Sequence, residues 1–174
     1  PEAPGEATIH TNRGDIKVAL DPDKTPCTVN SFLHLAGQGF YDNTSCHRLV
    51  NSGLFVLQCG DPSGTGLQGP GYQYADELID NDPRLTNCSE QQTVNGLATV
   101  CTYPAGTVAM ANAGPDTNGS QFFLVYQDSP LPAEYAVFGR MSAGGLSVVR
   151  KIAAGGLDTN GIAPKTSVQI TGVQ

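Results

Sequence analysis

The 174-residue chain is 39% hydrophobic and only 14% charged, with 21 glycines and 12 prolines, a composition that suits one turn-rich β domain and excludes a helical bundle or a disordered chain. A formal net charge of −7, with nine Lys and Arg that nowhere cluster, excludes nucleic acid as a partner, because a basic face would be required. No apolar run approaches the roughly 18–20 residues needed to cross a bilayer, and Pro1 to Ala7 are polar and proline-containing rather than signal-like, so any export signal or anchor is expected to have been removed.

Residues 1–6 read as an N-terminal tail and 7–174 as a single domain. Ala7 to Thr11 and Asp15 to Leu20 are β-prone runs around Asn12, Arg13 and Gly14, and the alternation of Ile16, Val18 and Leu20 predicts an opening hairpin. Thr25 can cap a helix with Pro26 in its first turn, and Val29, Phe32, Leu33, Leu35 and Ala36 recur at helical spacing until Gly37 and Gly39, which predicts a helix over 26–37. Cys46 to Val50 and Leu54 to Cys59 read as strands around Asn51, Ser52 and Gly53, followed by a glycine-rich loop from Gly60 to Gly71, long enough to expect a functional role for it.

Residues 75–105 hold several acidic residues and few aliphatics and read as a surface excursion. Thr107 to Ala111, Gln121 to Tyr126 and Tyr135 to Met141 are three further strands. A second helix is expected near Leu146 to Ala154, and Ser167 to Val173 closes as a strand. About eight strands and two helices result, which suggests a sandwich or a barrel whose open ends two amphipathic helices can cap.

Five cysteines show neither a C-x-x-C pair nor zinc-ligand spacing, which disfavours a metal. Cys88 and Cys101 bracket the polar stretch Ser89 to Thr99, expected to be a loop, where a disulfide would restrict the unfolded chain. Cys46 and Cys59 sit where they can face each other across a hairpin, and Cys27 is the candidate for the unpaired thiol. Such staples belong to loop-rich extracytoplasmic domains. No G-x-S-x-G, H-E-x-x-H or P-loop pattern is present, and His10, His34 and His47 are too scattered for a triad or metal site.

Cys46-His47-Arg48-Leu49, then Leu54 through Asp61, then Met110 through Phe123, and finally Val137-Phe138-Gly139-Arg140 closely resemble the signature segments of cyclophilins, and the resemblance runs from about Ala7 to the C-terminus. It implies a mainly β fold, a closed eight-stranded antiparallel barrel capped by two α-helices, with substrate along the outer wall. It implies peptidyl-prolyl cis-trans isomerase activity on proline-containing peptides and unfolded protein clients, without cofactor or metal, in a monomer. Arg48 matches the catalytic arginine, Gln58 the residue that orients it, and Asn112 the residue whose backbone holds the peptide.

Phe55, Val56, Phe123, Leu131 and Tyr135 match the wall of the proline pocket, although Phe55 and Phe123 read alone would fit a core. Small Ala111 and Ala113 leave room for the residue two before the proline, and Gln121 joins the substrate-binding set. Two residues more than usual separate Arg48 from Gln58, so that the match of Phe55 depends on counting back from Gln58, and Val56 stands where methionine is common. Pro130 replaces the tryptophan that donates to cyclosporin in many eukaryotic members, so weakened cyclosporin binding is expected. The cysteines and the insertion around Cys88 to Cys101 resemble secreted or membrane-anchored actinobacterial cyclophilins, which implies an extracytoplasmic location. A non-catalytic module that holds proline segments is the alternative.

Overall fold

The computed structural model describes residues 5–174. Of the tail expected over 1–6, residues 1–4 lie outside the described ones, and Glu6 already opens the first strand.

The elements run β1 (Glu6–Thr11), β2 (Gly14–Leu20), α1 (Pro26–Gly37), β3 (Thr44–Ser45), β4 (Arg48–Ser52), β5 (Leu54–Cys59), β6 (Thr86–Thr93) and β7 (Gly96–Tyr103). They continue with β8 (Thr107–Met110), β9 (Phe122–Val125), β10 (Ser129–Pro132), β11 (Val137–Met141), α2 (Ala143–Ala154) and β12 (Gln169–Val173).

Nine strands form one antiparallel sheet in the order β3-β12-β1-β2-β11-β8-β9-β5-β4. Ile16, Val18 and Leu20 all point inward from β2 while the residues between them stay in solvent, the period-two pattern of a half-buried strand. At the centre, Phe32 of α1 packs against Tyr41, Phe122 and Phe138 with ring centroids 5.3 to 5.6 Å apart, so side chains fill the interior there. The sheet's end strands, β3 and β4, are separated in the chain only by Cys46 and His47.

Mainly β with two helices is what the sequence led us to expect, whereas the observed ladder has nine strands with two ends rather than eight in a closed ring. A second sheet adds three strands in the order β10-β7-β6. Within the surface excursion expected over 75–105 the loop is corrected: Ser89 to Thr99 belongs to a hairpin whose turn is Val94 and Asn95. Polar Thr, Asn, Ser and Gln on β6, all of it exposed or nearly so, hid the strand because neither face is buried and no alternation is needed.

Both helices start as their local chemistry requires, with one change from expectation. Thr25 precedes Pro26, but its hydroxyl donates to the Asp21 carbonyl. The first N–H groups of α1 donate instead to the Glu77 carboxylate, from Cys27 at 3.1 Å and Thr28 at 2.6 Å, a capping partner 49 residues away in sequence for Thr28 that satisfies donors a helix start leaves open. α2 begins at Ala143, three residues before the expected Leu146, because Ser142 accepts the Gly145 N–H at 3.1 Å and overrides the weak helix propensity of Gly144 and Gly145.

Candidate functional site

In the β4–β5 hairpin, Arg48 lies directly opposite Gln58 and Val50 opposite Val56. Side chains alternate along β5: Leu57 and Cys59 enter the interior, while Gln58, Val56 and Leu54 share the outer face. Strand β9 lies alongside with Phe123 opposite Gln58. Tyr135 meets the Phe123 ring edge-on at 5.4 Å, and Tyr103 packs behind both.

These strands, with Leu131 from β10 and with Ala111 and Asn112 just past β8, enclose a cavity of about 260 Å³. The site residues anticipated from sequence thus converge for Arg48, Gln58, Asn112, Val56, Ala111, Phe123, Leu131 and Tyr135. Ala113 and Gln121 line an adjoining depression of about 270 Å³, which shares Gln58, Ala111 and Asn112 with the first and is walled by residues 66–73.

Phe55 is the exception. It falls on the opposite face of β5, where its ring meets Tyr126 at 6.0 Å, nearly perpendicular, beside Asn51 and Arg150. Leu54 occupies the wall in its place. Counting back from Gln58 in steps of two would have found Leu54, since only even steps keep a side chain on one face.

A hydrogen-bond chain joins the two depressions. Arg48 Nη1 donates to Gln58 Oε1 at 3.3 Å, Gln58 Nε2 donates to Gln121 Oε1 at 2.9 Å, and Gln121 Nε2 donates to the carbonyls of Gly66 and Gln68 at 2.9 and 3.1 Å. Arg48 is exposed and forms no ion pair among the described residues, so its remaining N–H groups are available to a ligand. The Asn112 side chain is taken up by the protein itself, donating to the Glu134 carbonyl at 2.9 Å and accepting from the Gly114 N–H at 3.2 Å.

The loop that Gln121 grips is organised around one buried carboxylate. Asp61 has no exposed surface, and it accepts from Ser63 N and Oγ (2.7 Å each), Gly66 N (2.6 Å) and Gln68 N (3.2 Å). Burial alone would push its carboxyl up, but the hydrogen bonds from Ser63, Gln68 and Gly66 outweigh it and hold the pKa at about 2. Sequence reasoning missed this residue, although an Asp followed by Ser63 and Thr65 is the pattern of a side chain that collects local N–H donors.

Gly60, just before it, has φ of +99° and lies so close to the Ser120–Gln121 backbone that an added Cβ would stand 2.9 Å from Gln121 Cα. Only glycine fits there. Beneath the arginine, burial pulls the His47 imidazole below its ordinary pKa; Asp61 opposes the shift and Arg48 reinforces it, so no second cation develops beside Arg48 at neutral pH.

Cys46 pairs with Cys59 and Cys88 with Cys101, leaving Cys27 free and exposed. The first bridge flanks the site on both sides: Cys46 lies two residues before Arg48, and Cys59 follows Gln58.

A family model described as cyclophilin type peptidyl-prolyl cis-trans isomerase/CLD matches residues 7–174. The chain is 49% identical over 171 residues to a probable peptidyl-prolyl cis-trans isomerase B of Mycobacterium leprae, covering 95% of this chain and 54% of that one. It is 40% identical over 151 residues to a peptidyl-prolyl cis-trans isomerase of Helicobacter pylori, covering 86% and 80%. The chain spans about half the length of the mycobacterial B-type relatives it matches, 54% and 56%.

Among solved structures, a cyclophilin type peptidyl-prolyl cis-trans isomerase of Cryptosporidium parvum aligns with a TM-score of 0.76 at 30% identity, covering 97% of this chain and 95% of that one. The same Cryptosporidium protein in the presence of the dipeptide Ala-Pro aligns at 0.75. Sequence and three-dimensional likeness extend over the same nearly complete span, and this chain belongs to the cyclophilin-type peptidyl-prolyl cis-trans isomerase family.

Proposed function

We propose that the chain accelerates cis–trans rotation about X-Pro bonds in exported or cell-envelope proteins. One observation carries the reading: a guanidinium already hydrogen-bonded to Gln58 lines a cavity of about 260 Å³ whose other wall carries Leu54, Val56, Phe123, Leu131 and Tyr135.

Amide resonance sets the uncatalysed barrier at roughly 18–20 kcal/mol. In the twisted transition state the proline nitrogen turns pyramidal and gains a lone pair, so a donor fixed beforehand favours that state over either planar form. Arg48 is that donor, with N–H groups set in a rigid planar fork. Gln58 orients it, and Gln121 holds Gln58. Leu54, Val56, Phe123, Leu131 and Tyr135 take the proline ring, which has no N–H to satisfy. The backbone of Asn112 holds the client chain, and Ala111 and Ala113 leave space for the residue two before proline.

Two disulfides support action outside the cytoplasm, secreted or anchored, and the likeness to mycobacterial relatives supports an actinobacterial type. No described helix is long and apolar enough to cross a membrane. The family match over 7–174 supports one isomerase domain, acting as a monomer, and the two-residue link between β3 and β4 keeps the two ends of the curled sheet near each other. Pro130 offers no side-chain donor, so cyclosporin binds weakly.

The test is exchange NMR on an Ala-Pro tetrapeptide with the native protein and with Arg48→Ala. Catalysed exchange that drops by about 100-fold or more on substitution, the scale of one lost transition-state donor, with circular dichroism unchanged, is the expected result. Negligible exchange from both proteins would replace this reading with a module that only holds proline segments.

A further inference from the structure

The β6–β7 hairpin extends past the strand it is built on. β10 ends at Pro132, opposite Val100, and its last link is the Ala133 N–H to the Thr99 carbonyl at 2.8 Å. Beyond that point β7 continues through Ala98, Leu97 and Gly96 to the Val94–Asn95 turn, an overhang of roughly 10–15 Å at strand rise. Nothing among the described strands pairs with the outer edge of β6.

Register fixes which face of this overhang continues the proline pocket. Leu131 lies opposite Cys101, and opposed residues share a face, as do alternate ones. Leu131, Cys101, Thr99 and Leu97 therefore form one row. Leu131 at its inner end lines the cavity, while Leu97 at its outer end is 72% exposed and Val94 at the turn is fully so. Glu90, opposite Thr99, and Gln92, opposite Leu97, complete the face, which so carries one charge. The Cys88–Cys101 bridge ties the two strands at the level of Leu131.

We propose that this row is a docking surface for the stretch of an unfolded client chain that flanks the bound proline. The inference rests on the reading of the cavity as the proline pocket. The occupant follows from continuity: a polypeptide whose proline sits in the cavity must leave it over a wall, and Leu131 of that wall is paired with buried Cys101, from which the same strand face carries on through exposed Thr99 and Leu97. An extended chain needs about four residues to travel from Leu131 to Leu97. A tetrapeptide centred on proline falls short, and a protein client does not.

The experiment compares the native protein with the double variant Val94→Ser, Leu97→Ser on two ligands. One is an Ala-Pro tetrapeptide, and the other a 16-residue peptide with a central Ala-Pro bond and apolar residues three to six positions to each side. NMR titration reads Kd and exchange spectroscopy reads the catalysed rate. The expected result is a Kd for the 16-residue peptide weakened about five- to tenfold, the worth of one partly buried leucine, with tetrapeptide Kd and rate unchanged.

Unchanged affinity for the long peptide overturns the proposal. So does equal weakening for both peptides, which would mean the hairpin acts by shaping the pocket. Long-peptide affinity that holds while sedimentation shows the substitutions breaking a dimer assigns the face to a second copy and also overturns it. A native protein that binds both peptides and catalyses neither defeats the isomerase reading alone, because the affinity contrast is read independently of rate.

Discussion

The two depressions that share Gln58 and Asn112 are held in shape by different forces. The proline-pocket side stands on strands: Val56 and Phe123 sit on the paired β5 and β9, with Tyr103 and Val125 packed behind them. The other side is a loop from Gly60 to Gly71 with no ladder of its own, held by the Asp61 carboxylate and the two carbonyls that Gln121 grips. Packing fixes the first without regard to charge, whereas the second depends on a handful of directional bonds. Substitutions in the loop should accordingly register as local order and pH sensitivity, and substitutions in the strands as volume and shape.

The sharpest way to break the loop side is Gly60→Ala. A Cβ there meets backbone at Ser120 and Gln121 rather than a flexible side chain, and φ of +99° is strained for any L residue. Unfolding free energy should fall by about 3 kcal/mol, read by urea denaturation. A loss below about 0.5 kcal/mol would mean that the two segments separate at little cost and that Gly60 does not anchor the loop.

Next in size is Asp61→Asn, expected to cost about 2 kcal/mol at pH 7. An amide keeps one acceptor but turns an NH₂ toward donors that need oxygen. The folded pKa of about 2 lies below the ordinary 3.8, so the carboxylate's contribution is complete above pH 4 and disappears as pH falls toward 2. Native protein should lose stability through that window more steeply than the Asn variant, measured by urea unfolding at stepped pH. Parallel curves would remove Asp61 as the organising charge.

How much of this was legible in the sequence follows the same division. Pro26 and Gly37 mark the ends of α1 because their constraints are local, and the segments around Arg48 and Met110 to Phe123 revealed the site through family resemblance. Glu77 as the cap of α1 was not legible, since nothing near Cys27 or Thr28 encodes a partner so far along the chain. Nor was the β6–β7 hairpin, whose exposed polar β6 leaves no hydrophobic period to read and is bulged at Asn87, with φ of +50°. Leu54 was legible by alternation from Gln58, which puts it on the cavity face, whereas resemblance points to Phe55.

Between the two sides stands Gln121, and Gln121→Leu removes the only direct side-chain link among the described residues from Gln58 to the loop carbonyls while keeping similar bulk. If it positions rather than binds, kcat should drop about five- to tenfold, the equivalent of one hydrogen bond of roughly 1 kcal/mol, with KM for an Ala-Pro tetrapeptide changed less than twofold. Gln121→Glu, which retains the acceptor for Gln58, should recover part of kcat. A rise in KM with kcat unchanged would make Gln121 a substrate contact instead.

The neighbouring pair on β5 separates strand alternation from family resemblance, and it includes the smallest expected effect, that of Leu54→Ala. Leu54→Ala removes a half-buried wall residue of the cavity. It should raise KM for the tetrapeptide about threefold, with stability reduced by less than about 1 kcal/mol because the truncated volume opens to solvent. Phe55→Ala removes a ring that packs on Tyr126 across the sheet from the cavity, so its cost of about 1–2 kcal/mol should appear in urea unfolding, with KM unchanged. The opposite pattern, KM rising for Phe55→Ala and not for Leu54→Ala, would mean that the bound peptide draws β5 into a different register. One residue of slip exchanges the two faces of a strand, and no smaller rearrangement would give Phe55 the place that Leu54 now holds.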